Sequence, residues 1–432
     1  MFSRIVPIVL ALVVFQSEAQ SQLSQPYTDY RSKLLELFIA AESHHPLAKV
    51  RENDLRAAKF RSRHIQAQYR PNLSLQGQLS AARRDAMLQD ETDFDDTLTP
   101  RSLSVNLSHR LYDGGRRSLS YQQTKTDIVA AGHLEAAEQI SIYAEITQQA
   151  LTLARAQAQL ELLQQSNDLI IEREKYIRAA INVGEGARLE LNQVKSRKAR
   201  SEAHLITAQE NVLSAKSNIL SLTGISIDLS FPPPDFSETR LTLNEAQDLA
   251  RRFSPSIQVR KAELKSAKYN REIVRRNRLP SLDIVGRAAV SEEVSAVIDQ
   301  ETDLSIGLNL SVPIYSGGIS DERLGEENAK RNAARYRLID EERRSDLQIA
   351  TLFSRIQSAR DRIAAANKGV SAAREALLGA ERSRELGISS ELIVLDAIDE
   401  LYSAEQAVIN AQFDLYTSYL LMELLTGELI SL

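Results

Sequence analysis

Residues 304 to 314 alternate without a fault. Leu304, Ile306, Leu308, Leu310, Val312 and Ile314 share one parity, and Ser305, Gly307, Asn309, Ser311 and Pro313 the other. A period of two predicts a strand with one apolar face. Three other stretches repeat the pattern. Leu73, Leu75, Gly77, Leu79 and Ala81 oppose Asn72, Ser74, Gln76, Gln78 and Ser80. Leu103, Val105, Leu107 and Leu111 oppose Ser104, Asn106, Ser108 and Arg110, and Leu282, Ile284, Ala288 and Val290 share a face that Asp283 and Arg287 avoid. Strands are therefore expected over 72–81, 102–112, 281–291 and 304–314. Elsewhere the period changes: Ile140, Ala144, Thr147, Leu151, Ala154 and Ala158 follow the four-three spacing of a packed helix seam.

The elements come in two matching sets. His45-Pro46 and Arg70-Pro71 recur 209 residues later as Ser254-Pro255 and Leu279-Pro280. Tyr112-Asp-Gly-Gly, Gly184 and Thr223-Gly224 recur 203 residues later as Tyr315-Ser-Gly-Gly, Gly387 and Thr426-Gly427. Only the interval from the second proline to the tyrosine differs, 41 residues against 35, as a surface loop allows. The first repeat is read as 20–224 and the second as 241–432, joined by a stiff connector, 225–240, around Pro232-Pro233-Pro234.

Within each repeat a helix runs from one proline to the next, 46–70 and 255–279, since proline suits the first helical turn and ends a helix that reaches it. Two strands follow. Then come helical stretches, 115–222 and 318–425, each broken at the glycine that recurs between repeats, Gly184 or Gly387, and closed by Thr-Gly. The proline-free part before each break is on the order of 100 Å of helix at ~1.5 Å per residue. Gly114-Gly115 and Gly317-Gly318, with Pro313 before the latter, mark the strand-to-helix transitions.

Strands of about ten residues with one apolar face suit a transmembrane β-barrel, where an arginine facing lipid at mid-membrane costs about 2–4 kcal/mol. Arg110 and Arg287 both fall on the polar parity. A half-buried soluble sheet has the same alternation. Closure separates the two readings: lipid tolerates no open edge, four strands cannot close, and four from each of three chains make a barrel of twelve. The segments between paired strands, 83–97 and 291–303, are acidic and read as solvated outer loops. The cluster Asp90, Glu91, Asp93, Asp95 and Asp96 lacks the spacing and glycine of a calcium loop.

Composition narrows the class. Arg4, the apolar run Ile5 to Phe15 and Ser17-Glu18-Ala19 predict a signal peptide over 1–19, an anchor helix being the alternative. The chain has no cysteine, so neither disulfides nor acylation are expected. A formal charge of −5 argues against a nucleic-acid partner. The six histidines are dispersed, and no phosphate loop, nucleophile elbow or carboxylate pair stands out, so neither an enzyme nor a cofactor is expected. The rival reading is a structural coiled-coil protein of the envelope, which leaves the one-sided strands and double glycines without a purpose.

The duplicated unit, "VPIYSGG" and "RELGISSELIVLDAIDELYSAEQAV" (384–408) resemble the TolC-like outer membrane efflux proteins over essentially the whole mature chain. The resemblance implies a homotrimer in the Gram-negative outer membrane: a twelve-stranded β-barrel, four strands per chain, continued by an α-helical periplasmic tunnel. It also implies an inner-membrane pump and a periplasmic adaptor as partners, for drug efflux or type I secretion. The family closes its periplasmic end with the hairpin tips around Gly184 and Gly387. Its first-repeat acidic residue falls on Glu190. Where the best-known member carries a tyrosine, an arginine and two aspartates, this chain has Arg384, Ser389, Ile393 and Asp396. The expectation is that Arg384 pairs with Glu190 to hold the tip narrow, and that Asp396 forms an acidic ring selecting cations. Gly184, Ala187 and Leu189, with Gly387, Ser390 and Leu392, are the expected adaptor-contacting tips.

Overall fold

The computed structural model describes residues 25–87, 93–184, 186–227, 241–295 and 298–427. The expected signal peptide, the three consecutive prolines of the connector, and Asp90 and Glu91 lie outside them. The elements are α1 (Gln25–His44), α2 (Pro46–Ala67), β1 (Asn72–Leu79), β2 (Ala82–Met87), β3 (Asp93–Leu98), β4 (Arg101–Tyr112), α3 (Arg116–Asn182) and α4 (Arg188–Thr223). After the connector come α5 (Leu243–Phe253), α6 (Pro255–Arg275), β5 (Ser281–Ser295), β6 (Ile298–Ser311), α7 (Ile319–Glu385) and α8 (Glu391–Thr426). Helices α3 and α7 are both 67 residues long, and α4 and α8 both 36. The chain forms two compact units, each drawn from both halves of the sequence.

One unit, residues 52–135 and 256–341, holds all six strands found among the described residues. Four of them form an antiparallel sheet in the order β1-β4-β5-β6. Its register brings the apolar parities together: Leu75 faces Val105, Val105 faces Ala288, and Ala288 faces Leu304. The polar parities are matched as well, Gln76 with Ser104 and Asn106 with Arg287. Arg110 donates from Nε to Asp283 Oδ1 at 2.8 Å on that polar side. The apolar face is left open: Leu73, Leu79, Leu304, Ile306, Leu308 and Leu310 are each at least 64 % exposed.

Three expectations about the strands need correction. The segment 83–97 is largely strand rather than loop, because β2 and β3 pair with each other as a separate two-stranded ribbon. The expected loop 291–303 is also mostly strand, as pairing of β5 with β6 continues through Glu292 opposite Gln300 and, past an irregularity, Ser295 opposite Ile298. In both cases backbone hydrogen bonding continues into acidic sequence once the pairing is established. Leu111 does not pair in phase with Leu107: a bulge between Arg110 and Tyr112 sets Tyr112 opposite Leu282.

Both short helices begin at their prolines but stop early. In α2 the last helical residue is Ala67, and Gln68, Tyr69 and Arg70 close with three-residue turns ahead of Pro71, whose ring disfavours helical geometry at Arg70. In α6 the tightening is a 3₁₀ turn at Arg276–Arg278 before Pro280. Beyond β6, which ends at Ser311 before Pro313, Gly317 and Gly318 lead into α7, as Gly114 and Gly115 lead into α3. All four glycines have positive φ. At Gly114, φ is 68° and a Cβ would lie 2.7 Å from Leu279 Cβ, so both conformation and space require glycine.

The other unit, residues 1–51, 136–255 and 342–432, has helices joined by turns and no strand among its described residues. Its core lies in three apolar clusters. One joins Leu34, Leu37, Phe38 and Ala41 of α1 to Ile146, Ala150 and Leu153 of α3 and Leu420 of α8. The predicted seam packs here: Thr147, Leu151 and Ala154 are buried, and Ile140, Ala144 and Ala158 are partly so. A second cluster sets Ala246 and Ala250 of α5 against Ile349, Leu352 and Ile356 of α7. The third lies toward the hairpin tips, with Ile170 and Ile177 of α3, Val194 of α4, Leu377 and Ala380 of α7, and Val394, Leu395 and Ile398 of α8.

Candidate functional site at the helix-hairpin tips

Helices α3 and α4 are joined by a tight turn through Gly184, and α7 and α8 by one through Gly387. The two glycines have φ of 83° and 72°, and Gly387 N closes a turn on Arg384 O at 3.0 Å. Ala187 and Ser390 stand just before α4 and α8 in extended conformation, neither capping its helix with a side chain. The turn edges are strongly apolar and open. Val183, Leu189, Leu386 and Ile388 are all about 70 % exposed or more, and Leu392 and Ile393 are exposed beside them.

Behind this apolar rim lies a compact charge network. Arg384 Nη2 is 3.2 Å from Glu190 Oε2, and each of these side chains is only 17 % exposed. The same guanidinium donates from Nε to Glu391 Oε2 at 3.4 Å, where the Glu391 side chain is fully buried. Arg173 of α3 binds Glu381 of α7 and lies 4.0 Å from Glu391 Oε1. Two arginines thus tie α3, α4, α7 and α8 together through three glutamates. Burial pushes the Glu391 carboxyl above the usual range, and Arg173 and Arg384 oppose that shift.

Of the residues expected at the gate, Glu190 and Arg384 are in contact. Ser389 takes no part in the pairing; its Oγ is buried without a hydrogen-bond partner among the described residues. Asp396 lies one turn further along α8 and is held by Arg197 of α4, which also binds Asp399. This group of two carboxylates and one guanidinium carries a net charge of −1. Glu174 on α3 is held below the usual carboxylate range, first by hydrogen bonding from Arg178 and then from Lys198.

Glu391, Arg173 and Arg197 are absent from the sequence-based expectations. A signal for Glu391 was present: it occupies the first position of the stripe Glu391, Val394, Leu395 and Ile398, where a charge is out of place on an apolar face. Among the described residues no group of histidine, aspartate and glutamate has the arrangement of a metal site. None of their helices is long and apolar enough to cross a membrane.

Comparison with known proteins gives a consistent answer. The profile described as outer membrane efflux protein matches residues 44–225 and again residues 246–428. The chain is 24 % identical to the outer membrane efflux protein BepC of Brucella suis, across 82 % of this chain and 76 % of that protein. It is also 24 % identical to the proteases secretion protein PrtF of Dickeya chrysanthemi, over 63 % of this chain and 61 % of the relative. Its fold is similar to the outer membrane protein VceC of Vibrio cholerae, with a TM-score of 0.76 at 19 % identity, covering 94 % of this chain and 99 % of that one. The chain belongs to the outer membrane efflux protein family, channel proteins of the Gram-negative outer membrane.

Proposed function

We propose that this protein is the outer membrane channel of a tripartite efflux or type I secretion system. It works as a passive conduit for substrates that an inner-membrane pump delivers through a periplasmic adaptor. The observation that carries this reading is the four-stranded antiparallel sheet, its apolar parities matched from strand to strand, with its apolar face open and with no strand beyond β1 or β6 among the described residues. A sheet of this kind in lipid has to find further strands for its edges. Three chains supply twelve, and the protein is accordingly a homotrimer.

In this reading the tips form the periplasmic gate. The Arg384–Glu190 pair holds them narrow, the Asp396 group gives the entrance its cation preference, and the apolar rim of Leu189, Ile388 and Leu392 docks the adaptor. Single-channel recording of the detergent-extracted protein in a planar bilayer tests it. Small cation-selective steps that enlarge in Arg384→Ala support a gated pore. An inserted, verified oligomer that passes no current in either form refutes it.

A further inference from the structure

Glu391 is the most deeply buried carboxylate of the tip region among the described residues. Its side chain has no exposed surface, and it shares a helix face with Val394, Leu395 and Ile398, all at most 2 % exposed. Each helix around it contributes a charge: Arg173 from α3, Glu190 from α4, and Arg384 and Glu381 from α7. On its own helix, Asp396 and Asp399 are occupied by Arg197. The five charges sum to −1, in a region where apolar packing screens little.

The satisfaction of the carboxylate is lopsided. Oε2 accepts from Arg384 Nε at 3.4 Å, whereas Oε1 has no hydrogen-bond partner among the described residues and only a distant Arg173 Nε at 4.0 Å. A buried carboxylate with one orphaned oxygen is costly, and a proton placed on that oxygen removes the excess charge and lowers the cost, since a neutral acid is easier to bury than an anion. Glu190 differs in being partly exposed and directly paired through Oε2.

We infer that Glu391 is the positioning residue of the gate: as an anion it holds Arg384 in place for Glu190, and taking up a proton on Oε1 weakens that hold and widens the pore. A charge-assisted hydrogen bond is roughly twice as strong as a neutral one, so the protonated acid grips the guanidinium far less firmly. Among the described residues the other carboxylate that meets the Arg384 guanidinium is Glu190, whose helix it must release for the tips to separate. This rests on the reading of Arg384–Glu190 as the constriction. The raised position of the Glu391 carboxyl puts the transition on the neutral side of an ordinary glutamate.

Single-channel conductance of the full-length oligomer, recorded from about pH 7.5 down to about pH 5, tests the inference. Glu391→Gln should conduct at neutral pH as the wild type does in acid, and its Glu391-dependent rise should be lost. Glu391→Asp should restore a rise. Asp396 and Asp399 are present in all these variants, so their contribution is common to both sides of the comparison. Arg173→Gln gives a second readout that does not depend on the first variant assembling: removing a cation beside Glu391 should move the opening to higher pH. If Arg384→Ala enlarges the conductance while Glu391→Gln keeps the wild-type pH profile, or Arg173→Gln leaves the transition where it was, the inference fails and the gate stands. If Arg384→Ala changes nothing at any pH, the gate reading falls first and takes the inference with it.

Discussion

Two glutamates of the tip region, Glu174 and Glu391, show how neighbours decide what a carboxylate does. Glu174 is met by Arg178 and Lys198, each with a nitrogen at 3.0 Å, and its carboxyl is pulled down; Glu391, more deeply enclosed, is pushed up by burial. A carboxyl depressed in the folded state contributes stability above its unfolded value and loses it as the pH falls through the folded one. Glu174→Gln should therefore lower the melting temperature of the detergent-extracted protein near neutral pH, with the gap to wild type narrowing in acid. A gap independent of pH would mean that the ion pairs contribute nothing. Gly114 is a residue of another kind, fixed by backbone. Gly114→Ala combines an unfavourable φ of 68° with a Cβ 2.7 Å from that of Leu279, and should cost about 1–3 kcal/mol in equilibrium unfolding.

Among the elements, β6 makes the sharpest prediction. Leu308 faces Ile284 on the open apolar side, whereas Ser305 faces Arg287 on the polar side. With lipid against the first side, Leu308→Arg should cost about 2–4 kcal/mol of insertion free energy and reduce the assembled protein in outer membrane fractions, while Ser305→Arg should be tolerated. Equal loss from both would argue against a lipid-facing sheet. The element α5 starts from a complete capping box: Thr242 Oγ1 accepts from Glu245 N at 3.4 Å, and Glu245 Oε2 accepts from Thr242 N at 2.8 Å. Thr242→Ala should cost about 1 kcal/mol, read from thermal melts. Much of this level was legible in the sequence, because prolines, glycines and a period of two act through local sterics. The helix seam and the four-stranded pattern needed nothing else. Helices α1 and α5 lie ahead of the prolines at 46 and 255, outside the repeat elements that those prolines mark, although Leu34, Leu37, Phe38 and Ala41 have helical spacing and Thr242-x-x-Glu245 is a helix-start signal. The β2–β3 ribbon escaped because strand pairing across an acidic segment is a tertiary matter that charge alone does not reveal. The contact of Glu190 with Arg384 could be expected from the repeat and the resemblance. The burial of Glu391 was legible only as a charge at the head of an apolar helix stripe, and its pairing with Arg384 was not, since motif positions say nothing about which side chain meets it.

For the whole molecule the decisive matter is where the free edges of β1 and β6 go. The sheet order β1-β4-β5-β6 is antiparallel at each step, so β1 and β6 run in opposite directions. In the proposed trimer, edge β6 of one chain would therefore meet edge β1 of the next as an antiparallel pair, and a ring of identical chains would close without any strand changing direction. The absence of cysteine makes this directly testable. Directly opposed residues of an antiparallel pair have Cα atoms about 4.5–5.5 Å apart, within disulfide reach. A panel can place one cysteine on β1, at Ser74, Gln76 or Gln78, and one on β6, at Ser305, Gly307 or Asn309. In the correct combination, each chain should link to the next and the protein should run on a non-reducing gel as a covalent species of three chains, each 48.2 kDa before any processing. Reducing agent should return it to single chains, and variants with only one of the two cysteines should stay single throughout. A covalent ring of another size would change the strand number of the barrel. Failure of every combination in an inserted, conducting protein would mean that the edges are satisfied in some way other than by neighbouring copies.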